Sequence, residues 1–410
     1  MGENIVTLIS SLVEDGVFGE FKFVDLKLDN DTEIGAQFAS SLVFHNLVLE
    51  NSSGEKVIPL VVKIPTSDPE ERKFRNTDAM FYNEVIMYKE IIPALGYEGN
   101  QLPTMYYGIA TLGLNPEIDI VILENLKNKD FVPSKPKIFL DFDHISLAIK
   151  KIAEFHSLSY KLKNENRKKF DQLVNKLKEV ENNESAIEEF DILRSISLKR
   201  GFEAALKKKS SDHLKKCLPL FEHVSKLIKL INDPEEPFAV ICHGDFCNNN
   251  TLFKYSETDE PVDCVIFDFQ LSLYSSPAVD LMFFIYFNTT SDFRETYLAE
   301  ILKLYWDTLR KNVPTSIPSF QEFLEHLEKR AIYGYLISAW FLPFLIDDTV
   351  AEERKEFKDL TMEEKMELFQ NAGGEKVEKI ICDMALELLK MNYVQKFLEL
   401  CDEKKYNVNS

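Results

Sequence analysis

A short island of strand-like pattern, residues 238–268, interrupts a helical pattern that otherwise runs from Leu140 to about Leu400. Its apolar runs, Phe238–Cys242, Thr251–Lys254 and Val262–Phe267, are too short for helices and are separated by polar residues. The turn Tyr255–Pro261 lets 262–267 return beside 251–254, which makes a hairpin. Strand-like pattern also fills the start of the chain. Phe21–Leu28, Ala39–Glu50 and Val57–Ile64 are apolar or alternating runs, followed by a helix and then by Gln101–Leu112 and Ile118–Leu123. Thr77 or Asp78 caps that helix, and Phe81, Val85, Tyr88 and Ile92 recur at helical spacing. The pattern predicts an α+β protein. A small antiparallel β-rich lobe with one main helix, residues 1–124, precedes a large, mostly helical lobe, residues 125–410, that holds the hairpin.

The helical half has apolar stripes and charged opposite faces in Ile145–Leu162, Lys168–Val180, Glu188–Lys207 and Asp212–Ile231. Both signs of charge alternate in 161–216, as on a solvated helix face. The chain carries 68 acidic and 48 basic side chains, a net charge of -20. This argues against a nucleic-acid binder or an anionic-membrane binder, because polyanions attract basic patches. Small anionic ligands stay open, since a few local cations or a metal suffice for them. Six cysteines without a CxxC pair suggest buried thiols in a reducing compartment and no zinc module. MGENIVTLIS has no basic start and no long apolar run, and Ala331–Ile346 falls short of the about 20 residues a membrane span needs. The expectation is a soluble cytoplasmic protein.

The chemistry concentrates at one end of the hairpin. Asn250 precedes its first strand, Asp268 follows its second, and Asp245 lies five residues before Asn250. Mg²⁺ takes oxygen ligands and usually one or two carboxylates, with water and phosphate completing its shell. Asn250 and Asp268 suit that role, and Asp245 suits a base that accepts a hydroxyl proton in phosphoryl transfer. The competing reading is that these residues close turns, which Asp and Asn favour on their own. His243 is expected to hold backbone rather than to react.

His243-Gly244-Asp245 with Asn250, followed by Ile266-Phe267-Asp268-Phe269-Gln270, resembles the catalytic and metal loops of the aminoglycoside phosphotransferase and choline kinase group, which has the protein-kinase-like fold. Within that group, His243–Phe253 and Asp268–Leu281 resemble the ecdysteroid kinase-like (CHK kinase-like) family. The resemblance implies transfer of the γ-phosphate of ATP to a small-molecule hydroxyl, with Asp245 as catalytic base and Asn250 and Asp268 on Mg²⁺. A kinase also needs a strand lysine that reaches the phosphates and a helix carboxylate that holds it. Lys63 ends an apolar strand and Glu84 lies on or beside the apolar face of the next helix, where a carboxylate needs a partner. By the same resemblance, Ser40 and its neighbouring backbone cradle phosphate, although Ala36 and Gln37 depart from the family's loop pattern, and backbone at Glu124 and Leu126 meets adenine. Asp280, in the first turn after Ser276-Pro277, is assigned to bracing the catalytic loop, and His156 to packing or bracing.

The acceptor is open. An ecdysteroid or related steroid comes first; choline, ethanolamine or xenobiotic alcohols are alternatives. Trp340 and Phe341 on the apolar stretch 333–346 suit plain core better than the wall of an apolar pocket, which they only hint at. An inert kinase-like binding protein and a metal hydrolase using Asp245, Asp268 and His243 are the readings from other classes. Protein partners and oligomeric state leave no signal.

Overall fold

The computed structural model describes residues 2–29, 40–97, 102–180, 184–346 and 360–406. It divides into two compact units, one of Met1–Pro133, Asn175–Asn183 and Leu252–Leu271, the other of Ser134–Val174, Glu184–Thr251 and Ser272–Ser410.

The first unit is built on an antiparallel sheet. Its strands are β1 (Lys22–Leu28), β2 (Ser40–Asn51), β3 (Gly54–Pro65), β4 (Met105–Ile109) and β5 (Ile120–Glu124), in the spatial order β1-β2-β3-β5-β4. Alternation along β3 and β5 sends successive side chains to opposite faces. Leu60, Val62, Ile120 and Ile122 pack on one face with Ile5, Ile9, Leu12 and Val13 of helix α1 (Gly2–Glu14). Each fully buried aliphatic side chain of this kind contributes roughly 1.5–3 kcal/mol. Pattern reading of the first 65 residues as β-rich passed over α1, whose apolar residues recur at helical spacing. Val61, Val121 and Leu123 point to the other face, against Phe81 and Val85 of α3 (Thr77–Ile86). Lys63 shares the parity of Val61, so its side chain is directed to the α3 face.

Helix α2 (Pro69–Arg75) precedes α3; its N-cap Asp68 accepts hydrogen bonds from the backbone N–H of Glu70 and Glu71. After α3 the chain makes one π-helical turn, Met87–Ile91, before α4 (Ile92–Leu95). Strand β6 (Phe131–Val132) pairs with β8 (Thr251–Tyr255), which lies beside β9 (Pro261–Ile266). That pairing, and the packing of Val265 on Leu126 and Phe131, put 252–271 with the sheet unit rather than with the helices around it in sequence. Residues 175–183 join the same unit: Asn83 donates to Lys178 O and accepts from Lys178 N, both at 2.8 Å. The units thus depart from a single division at 124/125.

The second unit is mostly helical. It contains α5 (Phe142–Val174), kinked at Asn166, α6 (Glu184–Lys208), α7 (Asp212–Cys217), α8 (Val224–Asn232), α9 (Ala278–Asn288), α10 (Ser291–Asn312), α11 (Phe320–Glu328), α12 (Ile332–Ile346), α13 (Met362–Asn371), α14 (Gly374–Lys390) and α15 (Tyr393–Glu403). Strand β7 (Val240–Cys242) pairs with β10 (Leu273–Ser275), a strand that sequence pattern alone did not mark. Helices α9 and α12 cross closely because Gly334 has no side chain: a Cβ there would stand 2.5 Å from Met282 O. No described helix is long and apolar enough to cross a membrane. All six cysteines are buried free thiols.

Candidate active site

Within the sheet unit, Lys63 Nζ stands 2.6 Å from Glu84 Oε2 and 3.0 Å from Asp268 Oδ1. Lys63, Glu84 and Asp268 are 3%, 0% and 4% exposed, so the three charges are out of bulk water. Burial alone would pull the Lys63 ammonium down, but the charges of Asp268 and Glu84 outweigh it and hold its pKa above the ordinary value. Burial is the largest influence on Glu84 and raises its carboxyl to about 7, against the pull of Lys63. One cation thus serves two buried carboxylates. Glu84 Oε1 has no hydrogen-bond partner among the described residues. Asp268 Oδ2 has a long contact, 3.4 Å, from Gln270 Nε2. Such under-satisfied buried oxygens are costly and call for an explanation.

The backbone around Asp268 is held for this purpose. Its φ is +69°, a left-handed conformation that Asp tolerates better than most residues. Phe269 follows, fully buried, with its ring 5.6 Å from Tyr88 in an edge-on contact. Tyr88 stands in the π-helical turn after Glu84, a type of helix defect frequent at functional sites.

Glu124 ends β5, opposite Leu60 of β3. Its backbone N–H donates to Thr104 O, and its carboxylate accepts from Thr104 and Lys129. Leu126 is buried beside Phe131 and Val265. Ser40 opens β2 opposite Pro65; its side chain, and the loop 33–39 preceding it, lie outside the described residues.

Within the helical unit, the loop after β7 carries the other candidates. Gly244 has φ +83°, which lets the chain turn sharply into Asp245. Asp280, fully buried on α9, accepts from His243 N at 2.7 Å and Gly244 N at 2.8 Å. Its carboxylate also lies 2.9 Å from His156 Nε2, and His156 Nδ1 lies 2.9 Å from the Tyr305 hydroxyl. Burial would raise the Asp280 pKa, but His156, His243 and the Gly244 N–H together lower it. The His243 ring accepts from Asp245 N at 3.3 Å. His156, His243 and Asp280 therefore brace the loop. Ligand atoms of His156, Cys242 and Asp280 lie within 4.8 Å of one another, a spacing a metal could use. Each is already engaged, the Cys242 thiol by Ser275 O and Ser276 O.

Asn250 closes the loop. Its Nδ2 donates to Asp245 O and to Asp245 Oδ2, both at 2.8 Å. This spends the amide nitrogen and turns Oδ1 outward from that contact. Phe246 stacks on Phe284 with centroids 4.2 Å apart and pins the loop to α9. Sequence reading assigned roles to the acids, the lysine, the asparagine and the histidines of the two groups, but not to supporting residues such as Tyr88, Phe246 and Tyr305, which look like ordinary helix and core positions.

The structure thus brings Lys63, Glu84 and Asp268 together in one unit, and Asp245 and Asn250 together in the other. A buried lysine held by two carboxylates, and a braced loop carrying an aspartate and an asparagine, belong to the chemistry of phosphotransferases. Residues 35–315 match the model of the ecdysteroid kinase-like family, and the chain belongs to that family. Membership places it among kinase-like phosphotransferases acting on small molecules, with the α+β, protein-kinase-like fold class expected from its motifs. Among solved structures, an ethanolamine kinase of Plasmodium vivax is similar at 13% identity, covering 91% of this chain and 84% of its own, with a TM-score of 0.42. A glucosamine kinase is similar at 10% identity, covering 93% and 94%, with a TM-score of 0.25. No curated protein gives a match.

Proposed function

We propose that this protein is an ATP- and Mg²⁺-dependent kinase that transfers the γ-phosphate to a hydroxyl of a small molecule, with an ecdysteroid or related steroid alcohol as the first acceptor to test. The observation that carries the reading is Lys63, buried between Glu84 at 2.6 Å and Asp268 at 3.0 Å. A structural ion pair needs one carboxylate. Two carboxylates around one buried cation leave negative charge that suits a bound metal. The family's name supplies the steroid acceptor.

Lys63 is assigned to the ATP phosphates and Glu84 to holding it. Asn250 and Asp268 are assigned to Mg²⁺. The donors fit: the Asn250 nitrogen is committed to Asp245, which leaves its oxygen for a cation, and Asp268 Oδ2 has only a long contact. When bound, Mg²⁺ neutralises charge on the transferring phosphoryl group. Asp245 accepts the proton of the acceptor hydroxyl as that oxygen attacks. Its carboxylate is oriented by Asn250 and its backbone by His243. Adenine is assigned to backbone at Glu124 and Leu126. The Glu124 N–H is already donated to Thr104 O, so Glu124 would contribute its carbonyl and Leu126 its N–H. Ser40 is assigned to phosphate. A cytoplasmic location is part of the same proposal.

Asp245→Asn tests the reading. General-base catalysis contributes about 10²–10⁴-fold, so kcat should fall by that much while the Kd for an ATP analogue, measured by calorimetry, stays unchanged. Full turnover in this variant would remove Asp245 from the chemistry. Absence of any Mg²⁺-dependent ATP binding by the wild-type protein would remove the kinase reading.

A further inference from the structure

Residues 175–180 follow α5 in the chain yet belong to the sheet unit, where they meet α3. Asn83 of α3, fully buried, makes the attachment. Its Nδ2 donates to Lys178 O and its Oδ1 accepts from Lys178 N, both at 2.8 Å. One side-chain amide thus pairs with both backbone groups of one residue, as a neighbouring strand would. Nδ2 also has a long contact, 3.5 Å, to Gln270 O, two residues after Asp268. Two outer contacts join the same segment to the same helical stretch. Lys178 Nζ lies 5.7 Å from the centroid of the Tyr82 ring, and Lys176 pairs with Glu90.

The attachment lies beside the residue that holds Lys63. Glu84 follows Asn83 directly, about 100° further around the helix, so one side chain reaches Lys63 while the other grips 175–180. Helix α3 lies on the sheet through Phe81 and Val85, and such apolar contacts are non-directional. Its N-cap, Asn76, makes no side-chain hydrogen bond to it, and its far end passes straight into the π-helical turn. The position of Glu84 is nevertheless exacting, because Oε2 is 2.6 Å from Lys63 Nζ. A side chain reaches roughly 5–6 Å from the helix axis, so a rotation of about 20° would carry the Glu84 carboxylate about 2 Å and break that contact. The hydrogen bonds of Asn83 are directional and oppose such a rotation.

We propose that Asn83 is a positioning residue for phosphoryl transfer: by clamping α3 to the 175–180 segment it fixes Glu84 against Lys63, and so sets the affinity for ATP. The proposal rests on the kinase reading, in which Lys63 meets the ATP phosphates. Asn83 touches neither nucleotide nor acceptor in it and acts through Glu84. The long contact to Gln270 O extends the clamp to the stretch that carries Asp268, the second carboxylate on Lys63. One buried amide therefore ties α3 to two segments distant in the chain, and both Lys63 partners lie on stretches it holds.

Two variants of the full chain remove the clamp from opposite sides. Asn83→Ala deletes the amide. Lys178→Pro deletes the backbone N–H that donates to it and leaves α3 unaltered, so a folding defect in one variant does not remove the test. In the free protein, hydrogen exchange at the amides of 81–88 should quicken at least about 10-fold in both, with β3 and β5 unchanged. A general loss of stability would instead quicken exchange throughout the sheet. The Kd for the imido analogue of ATP with Mg²⁺ should rise at least about 10-fold in both. In a Glu84→Ala chain, Asn83→Ala should cost no further affinity for that analogue, whereas independent effects would add. Additive losses, unchanged affinity in both variants, or unchanged α3 exchange would overturn the clamp. The exchange measurement needs no nucleotide, which separates the two claims. Wild-type protein that binds no ATP analogue while α3 exchange responds to the variants would sink the kinase reading and keep the clamp; normal binding in variants whose α3 is loosened would do the reverse.

Discussion

Asp268 and Asp280 are both buried carboxylates a short way apart in the chain, and their surroundings differ in kind. Asp280 accepts two backbone N–H groups and faces the His156 ring, so its oxygens are satisfied by the fold itself. Asp268 shares one lysine with a second buried carboxylate and sits in a left-handed backbone conformation. The first arrangement is complete as it stands and stiffens a loop. The second is short of positive charge and hydrogen-bond donors. Completeness separates a brace from a binding site more sharply than burial does, because both carboxylates are buried.

The most direct attack on this contrast is a pair of near-isosteric amides. Asp280→Asn should destabilise the protein by about 3 kcal/mol, because hydrogen bonds to a charged group are worth about 1.5–3 kcal/mol each and the new NH₂ faces a backbone donor. Urea denaturation would check it. Asp268→Asn should change stability by less than about 1 kcal/mol, since Lys63 keeps Glu84 as its partner. It should nevertheless lower kcat/KM for ATP by about 100-fold, as loss of one preorganised electrostatic group commonly does. If Asp268→Asn proved the more destabilising of the two, the division into brace and site would collapse.

A smaller effect sharpens the same contrast through pH. The folded-state pKa of Asp280 is held below its ordinary value of 3.8, which is its value in the unfolded chain. Its carboxylate therefore contributes stability above the unfolded pKa, and that contribution is lost as pH falls through the folded pKa. The stability gap between wild type and Asp280→Asn should stay constant from neutral pH down to about 5 and narrow below that. A gap that instead widened on acidification would mean that the braced carboxylate is protonated in the folded state.

Much of the candidate site was legible because its chemistry is local. His243, Gly244, Asp245 and Asn250 span one loop, and Asp268 follows one strand, so residue type and spacing sufficed to mark them. Lys63 and Glu84 were legible for a different reason. A charged residue at the end of an apolar strand, and another on the apolar face of a helix, each need a partner, and they are 2.6 Å apart. Asp280 was legible as the first-turn acid after Ser276-Pro277. Asn83, Tyr88 and Phe246 were not, because a buried Asn or aromatic on a helix or loop has the same local pattern whatever it touches. Helix α1 was passed over although its helical spacing is present in the sequence; only its burial against the sheet needed the tertiary structure.

What the amino-acid sequence by itself determined is the α+β class, the identity of the acids, the lysine and the asparagine, and membership of the ecdysteroid kinase-like family. Periodicity and motif spacing are properties of consecutive residues, and no third dimension is needed to see them. Only the tertiary structure decided that β6 draws the hairpin into the sheet unit, that Asn83 ties residues 175–183 to the same unit, and that Arg194 lies over the Trp340 ring. These pairings join residues far apart in the chain. A helical pattern states which face will be buried but not which partner will bury it, and that choice is made by packing the whole molecule at once.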